Sequence, residues 1–213
     1  MTVRSYGEQA LRDEAQAILD QISYMDSNFE KAVDMMFHCQ GKIIVTGVGK
    51  SGHVGAKIAA TLASTGTPAF YINPLDVYHG DLGVMTDKDV VLALSNSGQT
   101  DELLRFIPMV LHMNVPIISI TGNPNSLLAK YSNHHITVKV KKEACTCCCR
   151  GLQTRPPIRQ INCSLLNRVY PHEALQSLNV LVTIWFVIFG YNGGVSSSVF
   201  SKQTEKPPLL LLI

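Results

Sequence analysis

The chain has 213 residues, 46% of them hydrophobic, enough for one globular domain with a full core and a small appendage. Its 18 basic and 16 acidic residues give a formal net charge of +2, with no long run of one sign, which argues against a nucleic-acid or membrane-surface footprint and for small-molecule or self partners. The first residues, Met1 to Asp13, carry no apolar stretch of a secretory signal, and Leu178 to Tyr191 is shorter than the roughly 20 residues a bilayer needs, so a cytoplasmic protein is expected.

From Glu8 to Phe37, Leu11, Ala15, Ile18, Leu19, Ile22, Phe29, Val33 and Met36 recur at helical spacing, predicting one long helix or two. Gly41 ends that region. Lys42 to Thr46 is a short β-branched run, followed by the glycine loop Gly47 to Gly52 and an Ala-rich helix from about Val54 to Ser64. The alternation repeats. Pro68 to Ile72 reads as strand, the residues to Thr86 as a polar loop, Asp89 to Leu94 as strand, Ser95 to Thr100 as loop and Asp101 to Met113 as helix. Pro116 to Ile120 is a further strand, Asn125 to Tyr131 a short helix and Ile136 to Val140 a last strand. Strands alternating with helices of this length predict a doubly wound, three-layer αβα fold with a parallel sheet. Ligands in such sheets bind beyond the carboxyl ends of the strands, where Gly47 to His53 and Ser95 to Thr100 both fall.

The first of these loops, Gly47-Val48-Gly49-Lys50-Ser51-Gly52, can hold an anion through its amides and a helix N-terminus. It is not a Walker A loop, because the first glycine of that motif would fall at Ile44. It formally matches a dinucleotide fingerprint, with Asp76 as a ribose acid, and it also fits a tight turn without a ligand. A lysine inside the turn favours a phosphosugar. The second loop, Ser95-Asn96-Ser97-Gly98-Gln99-Thr100, offers three hydroxyls and an amide ahead of a helix starting at Asp101 and Glu102. Phosphate binding and simple helix capping by Ser97 or Thr100 fit that segment equally.

Taken together, the loop Gly47 to His53, the run Ala63 to Pro68, His79-Gly-Asp-Leu-Gly83, Ser95 to Gly98, Ile120-Thr-Gly122 and Lys142 to Cys145 resemble the arabinose-5-phosphate isomerases of the sugar isomerase (SIS) type in order and spacing. The resemblance covers about Glu8 to Cys145. It implies interconversion of D-arabinose 5-phosphate and D-ribulose 5-phosphate, the entry to 3-deoxy-D-manno-octulosonate synthesis for lipopolysaccharide, without a cofactor or metal, in a homo-oligomer. Lys50, Glu102 and Glu143 stand where the family carries catalytic Lys and Glu residues. His79 matches a family histidine near the substrate. Gly49, Ser51, Ser95, Asn96, Ser97 and Thr100 fall on its substrate-binding loops, with Ser95, Ser97 and Thr100 at phosphate-holding positions. Which of Glu102 and Glu143 moves the proton stays open, and so do plainer readings in which Glu143 is a solvated strand end and His79 bonds its own loop.

A segment at 1–40 is expected to be helical, 41–145 to form the phosphosugar-binding domain, and 146–213 to diverge. Past Glu143-Ala-Cys145 the family continues with Pro-Leu, a further helix and a catalytic histidine, and some relatives add paired regulatory domains. This chain instead reads Cys145-Thr-Cys-Cys-Cys-Arg150, and His172, between Pro171 and Glu173, is not that histidine. An abrupt change inside a motif fits a frameshift, altered splice or misassembled gene better than slow divergence. Adjacent cysteines suit one tetrahedral metal ion poorly. The competing reading of function is a phosphosugar-binding module without catalysis, against which Lys50, Glu102 and Glu143 weigh, since a sensor has no use for an acid–base set.

Overall fold

The computed structural model describes residues 3–140. Glu143 and the divergent segment 146–213 lie outside the described residues.

Two helices precede the sheet. α1, Val3–Asp20, runs into a 3-10 turn, Gln21–Tyr24, and α2, Ser27–Phe37, follows. The break falls at Asp26, whose extended backbone lets its carboxylate accept from the amides of Asn28 and Phe29, the N-cap arrangement that starts a new helix. Of the two layouts the sequence allows, the chain adopts two helices.

The strands are β1, Ile43–Gly47, β2, Ala69–Ile72, β3, Val90–Leu94, β4, Ile117–Thr121, and β5, His134–Thr137. All pair in parallel, in the order β2-β1-β3-β4-β5. β1, β3 and β4 are buried at every position, as strands covered on both faces must be. Helix α3, Lys50–Ser64, links β1 to β2, whereas α4, Asp101–His112, links β3 to β4 in the other direction along the sheet. Right-handed crossovers running in opposite directions put their helices on opposite faces. The core divides accordingly. Ile43, Val45, Leu92, Leu94 and Ile118 pack with Phe29 and Ala32 of α2 and Val54, Ala59 and Leu62 of α3. Ile44, Val91, Ala93 and Ile117 pack with Leu103, Phe106, Ile107 and Val110 of α4 and Leu128 of the short helix α5, Leu127–Tyr131. This is the doubly wound αβα architecture.

At the amino end of the sheet Asp89 ties the starts of β1 and β3 together. Its carboxylate accepts from the Lys42 amide at 2.9 Å, the Lys42 ammonium at 2.8 Å and the Thr86 amide at 2.7 Å. Burial alone works to raise its pKa, but the Lys42 ammonium and the two amides outweigh that and hold the carboxyl below the usual range. At the far edge Gln21 joins the first helices to the chain beyond β5. Its Nε2 donates to the carbonyls of Ala17, at 2.7 Å, and Lys139, at 3.0 Å, and its Oε1 accepts from the Lys139 amide at 3.3 Å.

Candidate functional site at the carboxyl edge of the sheet

β1 and β3 are neighbours, yet their chains leave toward opposite sides, so the sheet has its switch point between them. A crevice opens there beyond the strand ends. The loops after β1 and β3 are the two that the sequence singles out.

After Gly47 the chain turns through Gly49, at φ 59° and ψ −125°, a conformation that side-chain-bearing residues rarely adopt, and enters α3 at Lys50. The helix begins four residues earlier than its apolar pattern indicates. Lys50 is exposed in the first turn and Ser51 half-buried beside it. Tyr71 of β2 steadies this turn from below, donating its hydroxyl to the Gly47 carbonyl at 2.6 Å. Burial, with Asp76 nearby, pushes the Tyr71 phenol up, so it stays a protonated donor at neutral pH.

After β3 the buried Ser95 hydroxyl lies 2.8 Å from the Thr100 hydroxyl and accepts from the Gly98 amide at 3.0 Å. Gly98, at φ 62°, sits where an added Cβ would run into the Ser126 side chain, which leaves room for glycine only. Asn96 and Ser97 are exposed, and Ser97 Oγ accepts from the Gln99 amide at 3.2 Å. Thr100 is the first residue before α4, but its side chain makes no cap hydrogen bond to that helix, so the capping reading of this threonine fails and its hydroxyl is committed to Ser95. Ser97 does not cap α4 either. Glu102 is half-buried in the first turn of α4.

The structure brings the loops together. Ser51 and Val54 of α3, Leu94 at the end of β3, Ser95 and Asn96 of the second loop, and Thr121, Gly122 and Val138 line a cavity of about 40 Å³. That volume is close to the share of one water in the liquid. Thr121 and Gly122 belong to it because the Gly122 amide donates to the Asn96 carbonyl at 2.9 Å. Sequence reasoning misses them as site residues; the signal that could have found them is the Thr-Gly step directly after a strand. His79 is the last residue of a 3-10 turn, Asp76–His79, in the connection between β2 and β3. A larger open hollow, about 860 Å³, lies at the amino edge among His38, Lys88, Asp89, Pro116 and His134. It is remote from the glycine and hydroxyl loops, and strand amino ends are not where such sheets hold ligands. Among the described residues no group of three or more His, Cys, Asp or Glu side chains is placed to hold a metal ion, and no helix is long and apolar enough to cross a membrane.

Ser51 of the glycine loop meeting Ser95 and Asn96 of the hydroxyl loop at the switch point of a parallel sheet defines the class, a doubly wound α/β protein with a polar cavity at the carboxyl edge of its sheet. The SIS domain model matches residues 36–154, more than half of the chain, and the chain belongs to that family. Arabinose 5-phosphate isomerase KdsD of Escherichia coli K12 is 48% identical over 139 residues, which cover 65% of this chain and 42% of the relative. KdsD of Francisella tularensis is 49% identical over 124 residues, covering 57% of this chain and 38% of the relative. The chain thus spans about two fifths of the length of the curated relatives it matches. A solved structure of an E. coli CFT073 protein in complex with arabinose 5-phosphate is 30% identical, with a TM-score of 0.64, covering 91% of this chain and 100% of that one. The sugar isomerase domain of an RpiR transcription factor from Sphaerobacter thermophilus, 18% identical with a TM-score of 0.55, covers 84% of this chain and 97% of its own and shares the fold.

Proposed function

We propose that the chain is an aldose–ketose isomerase interconverting D-arabinose 5-phosphate and D-ribulose 5-phosphate. The observation that carries this reading is that Ser51, from the loop with Lys50, and Ser95 and Asn96, from the hydroxyl loop ahead of Glu102, line one cleft. The names of the KdsD relatives and the arabinose 5-phosphate bound to the E. coli CFT073 protein support the substrate.

In this reading the phosphate is held by the hydroxyls of Ser95, Ser97 and Thr100, and the Gly49 and Ser51 region holds the sugar. A carboxylate, Glu102 or Glu143, removes the proton from the carbon next to the carbonyl and returns it to the neighbouring carbon, while a hydroxyl proton passes between the two oxygens. Substrate and product are isomers, so the balance needs neither a redox partner nor a cofactor. Lys50 stabilises the enediolate oxygen, and His79 serves the same substrate. The division near residues 40 and 145, a cytoplasmic location, self-association and the absence of a nucleic-acid partner belong to this proposal.

The test is conversion of D-arabinose 5-phosphate by the full chain, with Glu102→Gln alongside. Turnover by the wild type that falls in the variant, with sugar-phosphate binding retained, supports the isomerase. A folded wild-type chain that binds the sugar phosphate without turnover overturns it in favour of a binding module.

A further inference from the structure

By its place in the ladder the carbonyl of Gly47, the last residue of β1, faces a residue that cannot donate. The Ile43 amide donates to the Pro68 carbonyl, and Val45 stands in register with Tyr71. In a parallel ladder that pattern repeats every two residues, so residue 74 is the one due to donate to Gly47. It is Pro74, which has no N–H. The Tyr71 hydroxyl supplies the missing donor, at 2.6 Å. Helix α3, which packs on β1 and β2, leaves room for it. An added Cβ at Gly52 would fall 2.5 Å from the Tyr71 hydroxyl oxygen and 2.8 Å from the Gly47 carbonyl oxygen, and one at Gly55 would lie 3.3 Å from the ring. A side chain of β2 thus runs along the glycine side of α3 to the point where the loop leaves the sheet.

We infer that Tyr71 is a positioning residue for Lys50, its hydroxyl fixing the point from which the glycine turn carries Lys50 and Ser51 over the carboxyl edge of the sheet. Only Val48 and Gly49 separate the held carbonyl from Lys50. At Gly49 an added Cβ would meet nothing within 4 Å, so the turn is held at its strand end and not at its tip. A displaced Gly47 carbonyl therefore passes its shift directly to the first turn of α3, where Ser51 lines the cavity. Lys50 answers a charge that builds only while the proton moves, so its displacement slows turnover and spares substrate affinity. The inference rests on the isomerase reading and on the role of Lys50 in it.

The test is Tyr71→Phe in the full chain, which keeps the ring and removes the donor, assayed with D-arabinose 5-phosphate beside Lys50→Gln and the double variant. Tyr71→Phe is expected to lower kcat about tenfold and to hold KM within about twofold of the wild type. In the Lys50→Gln background it is expected to cost no more than about a further twofold, because the hydroxyl has no lysine left to position. An unchanged kcat overturns the inference. So does a tenfold fall that persists in the Lys50→Gln background, which makes Tyr71 a support of the fold alone. The acylation rate of Lys50 relative to exposed Lys88, at the opposite edge of the sheet, reads the displacement without turnover. That ratio is expected to shift by about twofold or more in Tyr71→Phe, and an unchanged ratio overturns the inference, also where Lys50→Gln has no measurable activity. A wild type without turnover overturns the isomerase reading alone, and the acylation ratio still decides the positioning. Should Tyr71→Phe fail to fold, Gly55→Ala, which crowds the ring and keeps the hydroxyl, is judged by the same kcat and acylation outcomes.

Discussion

The hydroxyls of Ser95 and Thr100 meet at 2.8 Å across the turn joining β3 to α4, five residues apart in sequence. The contact fixes the turn in which the Gly98 amide also points at Ser95 Oγ, so one buried serine organises both a side chain and a backbone donor. Such a loop is already ordered before an anion arrives, and a ligand loses little freedom on its account.

Removing either hydroxyl should weaken phosphosugar binding. Ser95→Ala and Thr100→Val are each expected to raise KM for D-arabinose 5-phosphate about tenfold, the equivalent of one lost hydrogen bond, with a smaller change in kcat. Steady-state kinetics on the two variants checks this. An unchanged KM in both would remove the loop from the binding site.

Glu102→Gln should divide the other way. A lost proton shuttle lowers kcat by about 10²–10⁴ while KM stays near the wild-type value. A loss of similar size in KM with kcat kept would assign Glu102 to binding and leave the proton to Glu143.

Gly98→Ala combines a left-handed backbone with a Cβ driven into Ser126. The backbone alone costs roughly 1–3 kcal/mol, and the overlap adds to it. Denaturant midpoints should fall for Gly98→Ala and recover only in part in Gly98→Ala/Ser126→Ala, because shortening Ser126 relieves the overlap and leaves the φ of 62° in place.

Asp89 sets the acid limit at the amino edge. Its folded pKa lies below the unfolded value, so its contribution is fully present above the unfolded carboxylate value near 3.9 and is lost as pH falls through the folded one. Asp89→Asn leaves the Lys42 ammonium without its carboxylate partner and should cost on the order of 3 kcal/mol at neutral pH. The wild type and variant should converge in stability as the medium becomes strongly acidic. Urea unfolding at several pH values tests both statements.

The strands were legible because continuous apolar runs such as Val90 to Leu94 have one comfortable place in this fold, buried between two helical layers. β5 was harder to bound. Its apolar pattern starts at Ile136, whereas the strand begins at His134, since only Ile136 of its four residues is buried and the histidines hide the pattern. The 3-10 turns at Asp76–His79 and Asp81–Val84 are too short for any periodicity to show. For the site, the glycine and hydroxyl loops stood out by composition. That they line one cavity with Thr121, Gly122 and Val138 depends on β4 lying next to β3, a neighbourhood that loop composition does not encode.

The Gln21 carboxamide grips both the amide and the carbonyl of Lys139, two residues past the edge strand. A pull on the chain beyond residue 140 therefore loads this clasp before it reaches the β5 hydrogen bonds. An edge strand that would otherwise peel one bond at a time is shielded, because the tension is diverted into the 3-10 turn between the first two helices.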